Sequence, residues 1–200
     1  LMTANAVLNG CSNVVAHQAF AGAKRGDSLK GAPHIDYMHF NNYGSLPWRQ
    51  EDLDQRAGTH MVDLAPQLAI DNLQLWGASL MKIDVEGGEL AVLEGARATI
   101  DRYRPAIYLE AEDQHVGTAK ALWHLKVVHG YVCYKHTVPL WSPSNWRGAE
   151  AWLPSSNQGE DIKFVSSKNA LCVHADNATD LPSTFVDQQP IALAEPRDEL

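Results

Sequence analysis

The sequence predicts an α/β protein built on a doubly wound, mostly parallel sheet with one reversed strand, and three observations carry that expectation. Short apolar runs of strand character alternate with longer segments of helical periodicity, which is the pattern of βαβ units. The run Leu80-Met81-Lys82-Ile83-Asp84-Val85-Glu86-Gly87-Gly88 ends a strand on acidic side chains and turns through two glycines into a helix. The 200-residue length and 45% hydrophobic content suit one folded domain of ordinary size.

Taken in chain order, residues 4–9 read as the end of a helix, with Gly10 as its stop. Residues 13–21 (NVVAHQAFA) read as a strand closed by Gly22. Residues 26–48 are rich in turn formers, with extended pieces around residues 34–40, and residues 41–45 form a loop centred on a glycine. Residues 51–71 carry no clear period. A strand follows over residues 80–84. A helix over residues 88–104 then places Leu90, Leu93, Ala96, Ile100 and Tyr103 on one face at three- and four-residue steps. Pro105 ends it and opens the strand Ala106-Ile107-Tyr108-Leu109, which leads into Glu110, Glu112 and Asp113. A helix over residues 116–129 stops at Gly130, a strand runs from Tyr131 to Tyr134, and residues 169–174 (NALCVH) form the last strand. Residues 139–159, with Trp141, Trp146 and Trp152 amid Pro, Ser and Asn, read as an ordered surface insertion. From Asp176 onward a polar, Pro-bearing, poorly packed tail is expected. The domain is therefore assigned to residues 1–175 and the tail to 176–200.

Charge and special residues exclude several classes. A net charge of −8 with no basic run longer than Lys24-Arg25 argues against nucleic acid or an anionic membrane as the main partner. No apolar stretch of about eighteen residues is present, so no membrane span is expected. Residues 1–8 lack the features of a signal peptide. Cys11, Cys133 and Cys172 stand far apart in no CxxC pairing, which predicts free thiols in a reducing, cytoplasmic compartment. Nine histidines fall at no HExxH-type spacing, so no metal centre built from histidine is expected. The terminal Arg197-Asp198-Glu199-Leu200 and the Asn177-Ala178-Thr179 sequon lack a secretory context that would give them meaning.

The chemistry concentrates at two strand ends. Alternation puts Lys82, Asp84 and Glu86 on one side of an extended segment. Asp84 and Glu86 close one strand, Glu110 and Glu112 the next, and adjacent parallel strands would bring these ends within roughly 5–10 Å. Such a cluster can accept a proton from a hydroxyl, hold a divalent cation or fix a cationic ligand. Glu89, Glu112 and Asp113 are read as helix-start or solvated acids, which leaves Asp84, at the strand's end before the turn, as the better functional candidate. His115 is a further acid–base candidate, the 41–45 loop a polar lid, and the three loop tryptophans an apolar wall.

The segment Lys82-Ile83-Asp84-Val85-Glu86-Gly87, with Glu89, Leu93-Glu94-Gly95-Ala96, Arg104-Pro105 and Leu109-Glu110, resembles the signature of the FkbM family of S-adenosylmethionine-dependent methyltransferases. Asn5-Ala6-Val7-Leu8-Asn9-Gly10, Ser12-Asn13-Val14, the 41–45 loop and Asn169-Ala170-Leu171-Cys172-Val173 agree with it, so the likeness runs over about residues 1–175. The resemblance implies a class I (Rossmann-like) methyltransferase fold and methyl transfer to a hydroxyl on a small molecule, sugar or glycan. It implies S-adenosylmethionine as cofactor, with Gln18 and Ala19 near the adenine. Asp84 would be the first candidate base, with Glu86 and Glu110 behind it. It also implies that the family's first strand and glycine-rich loop precede Leu1, so the N-terminal strands are expected to be missing from this chain. Two competing expectations remain: a magnesium-dependent α/β hydrolase or phosphatase using Asp84, Glu86 and Glu110, and a non-catalytic methyltransferase-like binding module.

Overall fold

The structure is a computed structural model that describes residues 2–29, 65–111, 116–139, 166–180 and 189–193. In order, the elements are helix α1 (Met2–Leu8), strands β1 (Phe20–Ala21), β2 (Gly26–Leu29) and β3 (Ala65–Leu68), and a 3-10 turn (Ile70–Leu73). Strand β4 (Leu80–Ile83), helices α2 (Glu89–Gly95) and α3 (Arg97–Tyr103), strand β5 (Ala106–Glu110) and helix α4 (Val116–His129) follow. Strands β6 (Tyr131–Pro139) and β7 (Ser166–His174) and a second 3-10 turn (Ala175–Asp180) complete the set.

The expectation of a mostly parallel, doubly wound sheet is corrected. The four-stranded sheet has the order β4-β5-β7-β6, and only its β4–β5 pair is parallel. β7 runs against both neighbours, and because it sits between β5 and β6 it makes both of its ladders antiparallel. A strand inserted in the interior reverses two pairings at once, where one added at an edge would reverse a single pairing. The smaller sheet, of order β1-β3-β2, pairs β1 with β3 in parallel and β2 with β3 antiparallel. Among the described residues, helices α2, α3 and α4 share one core with one face of the large sheet. That core contains Leu93, Ile100, Leu125, Ile107, Leu109 and Cys172. The opposite face carries a small cluster of strand residues around Tyr134, Leu171 and Tyr108.

Local chemistry explains the breaks. The helix read over residues 88–104 is two helices, because Ala96 leaves the helical region (φ −110°, ψ 10°). α3 then starts afresh on a carboxylate from elsewhere. Asp71 accepts from the Ala98 and Thr99 amides at 2.9 and 2.8 Å and from the Thr99 hydroxyl at 2.7 Å. These amides lie in the first turn, where backbone donors have no helical acceptor. Arg104 caps the far end in the left-handed region (φ 46°) before Pro105, and Gly130 (φ 71°) does the same after α4.

Of the strand read over residues 13–21, only Phe20–Ala21 pairs. The last two strands are longer than read, at nine residues each. The free-thiol expectation is corrected too: Cys133 and Cys172 face each other across β6 and β7 and are disulfide-bonded, leaving Cys11 free and exposed. The tail also returns to the body, where Ile191 donates its amide to the Cys133 carbonyl at 2.8 Å and Ile191 and Leu193 pack on the core. The expected loop at 41–45, the tryptophan-bearing insertion, Glu112, Asp113, His115 and the terminal tetrapeptide lie outside the described residues.

Candidate functional site

Asp84 follows the last residue of β4, Glu86 lies in the turn after it, and Glu110 ends β5. The parallel register that sets Ile83 beside Leu109 carries the two chain ends out of the sheet together. One carboxylate oxygen from each of Asp84, Glu86 and Glu110 lies within 4.8 Å of the other two, with Asp84 exposed and the glutamates half-buried. Glu86 takes part from the left-handed region (φ 49°), followed by Gly87 at φ 96°. A non-glycine residue pays for that conformation sterically, and here the turn aims its carboxylate toward its neighbours. Lys82, two residues back on the same side of β4, holds Asp84 in an ion pair of 2.5 Å, both side chains being about half exposed.

Glu89 opens α2 and is buried; one of its oxygens accepts from the Gly87 amide at 3.1 Å, and the other, Oε2, is buried with no hydrogen-bond partner among the described residues. Across the sheet, the register lines up Glu110 with Asn169 and Asn169 with His136. One step in from Glu110, the Tyr108 hydroxyl meets His136 Nδ1 at 2.9 Å. Burial pushes the Tyr108 phenol above its usual range, opposed by the nearby Lys82 charge. The edge therefore offers proton acceptors, an amide and an imidazole–phenol pair in one row.

The structure thus brings together Asp84, Glu86 and Glu110. Gln18 and Ala19 are placed elsewhere, in the lead to β1 of the smaller sheet, with Gln18 exposed. Asn169, His136 and Tyr108 were not assigned a role from the sequence. They join the row only through the cross-strand register of β5, β7 and β6, which no local pattern encodes.

Helices on a mixed sheet, with carboxylates gathered where two parallel strands end, define the class: an α/β protein with an acid-lined sheet edge. A family model described as a methyltransferase FkbM domain matches residues 17–133, more than half of the chain. The chain belongs to the FkbM methyltransferase family. No curated protein and no solved structure matches it.

Proposed function

We propose that this chain takes part in S-adenosylmethionine-dependent O-methylation of a hydroxyl on a small molecule, sugar or glycan. The observation that supports it best is the gathering of the Asp84, Glu86 and Glu110 oxygens within 4.8 Å at one strand edge, in a chain of this family. The donor set suits the cofactor chemically. S-adenosylmethionine carries a sulfonium and an ammonium, and three gathered carboxylates form a cation-attracting edge. Bound there, it would supply an electrophilic methyl group to an acceptor oxygen.

Asp84, the most exposed of the three, takes the proton of the acceptor hydroxyl, and Lys82 holds its carboxylate in place. Glu86 and Glu110 orient the cationic group and the acceptor. Gln18 and Ala19 remain the assignment for the adenine end. Among the described residues no helix is long and apolar enough to cross a membrane. The Cys133–Cys172 disulfide favours an oxidising compartment over the cytoplasm.

The same oxygen spacing supports a second reading, a divalent cation held for magnesium-dependent hydrolysis or phosphate release. Calorimetry separates the two. S-adenosylhomocysteine is expected to bind without added magnesium, and Asp84→Asn to abolish methyl transfer while leaving that affinity within a few-fold. A protein that ignores S-adenosylhomocysteine but binds magnesium through the three acids sinks the transferase reading. Unchanged turnover in Asp84→Asn removes Asp84 from the base role.

A further inference from the structure

A second cluster lies at the opposite end of the large sheet from the acid edge, just before β6 begins. Helix α4 carries His124 and His129, whose rings meet edge to face with centroids 5.2 Å apart. The Nε2 atoms of both are buried and, among the described residues, have no hydrogen-bond partner. His129 Nδ1 lies 2.6 Å from an oxygen of Asp101 on α3, with the His129 side chain almost fully buried. An ionised carboxylate can only accept, so Nδ1 carries the hydrogen and Nε2 is the nitrogen left to ligate. A carboxylate fixing one imidazole nitrogen so that the other is free to ligate is the usual outer support of a metal-bound histidine.

Two buried imidazole nitrogens without partners have given up water with nothing in return, which native interiors rarely allow.

We propose that His124 and His129 are the two protein ligands of a site for a borderline transition-metal ion, zinc being the simplest, completed by water. Imidazole nitrogen suits zinc, nickel or copper and does not suit magnesium or calcium. The five-residue step from His124 to His129 differs from the four-residue step of helical zinc motifs, so the sequence does not display it. Bound there, the ion would sit on α4 and, through Asp101, brace it against α3, well away from the acid edge.

The test uses the full chain, stripped with a chelator and titrated with zinc against a chromophoric competitor. One zinc per chain is expected. His124→Gln or His129→Gln should weaken binding at least ~100-fold, and Asp101→Asn about 10–100-fold. The Asp84→Asn/Glu110→Gln variant should leave it within a few-fold. Because variants of buried histidines can fail to fold, the unmutated protein with 15N-labelled histidine gives a second measurement. Zinc should shift the Nε2 signals of His124 and His129 and leave His129 Nδ1 protonated. Absence of zinc binding overturns the proposal. So does binding that disappears with Asp84 and Glu110 and persists without the histidines, or Nε2 signals that zinc leaves unmoved because a buried water already bridges the two rings.

Discussion

At the scale of single residues, two acids act in ways their sequence neighbours do not announce. Asp71 lies at the end of a stretch without periodicity, yet its carboxylate takes the first-turn donors of α3, a helix that has no capping side chain of its own. Asp71→Ala should cost about 1–2 kcal/mol, read as a lowered denaturant midpoint, because the amides lose their acceptor. An unchanged midpoint would show that water replaces the cap. Glu86 presents the reverse case: its φ of 49° disfavours any residue with a branched or bulky side chain, while asparagine tolerates it. Glu86→Asn is therefore expected to hold or slightly raise the thermal midpoint while lowering methyl transfer about tenfold or more. A loss of both together would mean that the carboxylate serves folding and not the site. That Asp84 and Glu110 belong to one edge was legible from alternation and from the glycines that follow. The left-handed turn at Glu86 was not, since Gly87 and Gly88 beside it read as the residues that would absorb the unusual backbone.

At the scale of elements, the strands at 80–83 and 106–110 and the helix at 116–129 were legible because each is a run of one period bounded by Gly, Pro or acids. Spatial order is another matter. A strand–helix–strand pattern implies parallel neighbours, and it holds for β4 and β5. Nothing in NALCVH states that the returning strand enters between β5 and β6, and this is where the parallel-sheet expectation failed. The row of Glu110, Asn169 and His136 was hidden for the same reason. The start of β6 offers a titration that reports on this packing. Tyr131 is buried, donates to the Pro105 carbonyl at 2.9 Å, and its phenol is pushed up to about 12 by burial, with Arg104 lowering it and Asp101 raising it. A phenol whose folded value is raised contributes stability that is intact below its ordinary value of 10.0 and is lost as pH rises toward about 12. Melting temperature should therefore fall over that alkaline window, and Tyr131→Phe should flatten the fall while costing about 1 kcal/mol at neutral pH. An identical alkaline slope in the variant would assign the effect to other groups.

At the scale of the whole molecule, two long-range ties join parts that the chain separates. Gly95 on α2 sits so close to the strand end at Gly22 that an added Cβ would fall 2.0 Å from the Gly22 carbonyl oxygen, which joins the small sheet to the helical layer. The second tie is the disulfide between Cys133 and Cys172, which are 39 residues apart in sequence and directly opposed in register. The spacing of three cysteines could not reveal it, because the pairing depends on β7 lying against β6. Closing a loop of that length in the unfolded chain is worth about 4 kcal/mol on the chain-entropy account, and measured effects usually fall at about 2–4 kcal/mol. The native protein should therefore offer one thiol, Cys11, to a thiol reagent, and three after reduction and unfolding. Cys133→Ala/Cys172→Ala should lower stability by about 2–4 kcal/mol in denaturant. Reduction of the unmutated protein should lower it to a similar degree, since both routes remove the same constraint from the unfolded ensemble. Three thiols reactive in the unfolded but unreduced chain would show that the strands meet without the bond, and the stability of the β6–β7 hairpin would then rest on its ladder and on the Ile191 and Leu193 contacts alone.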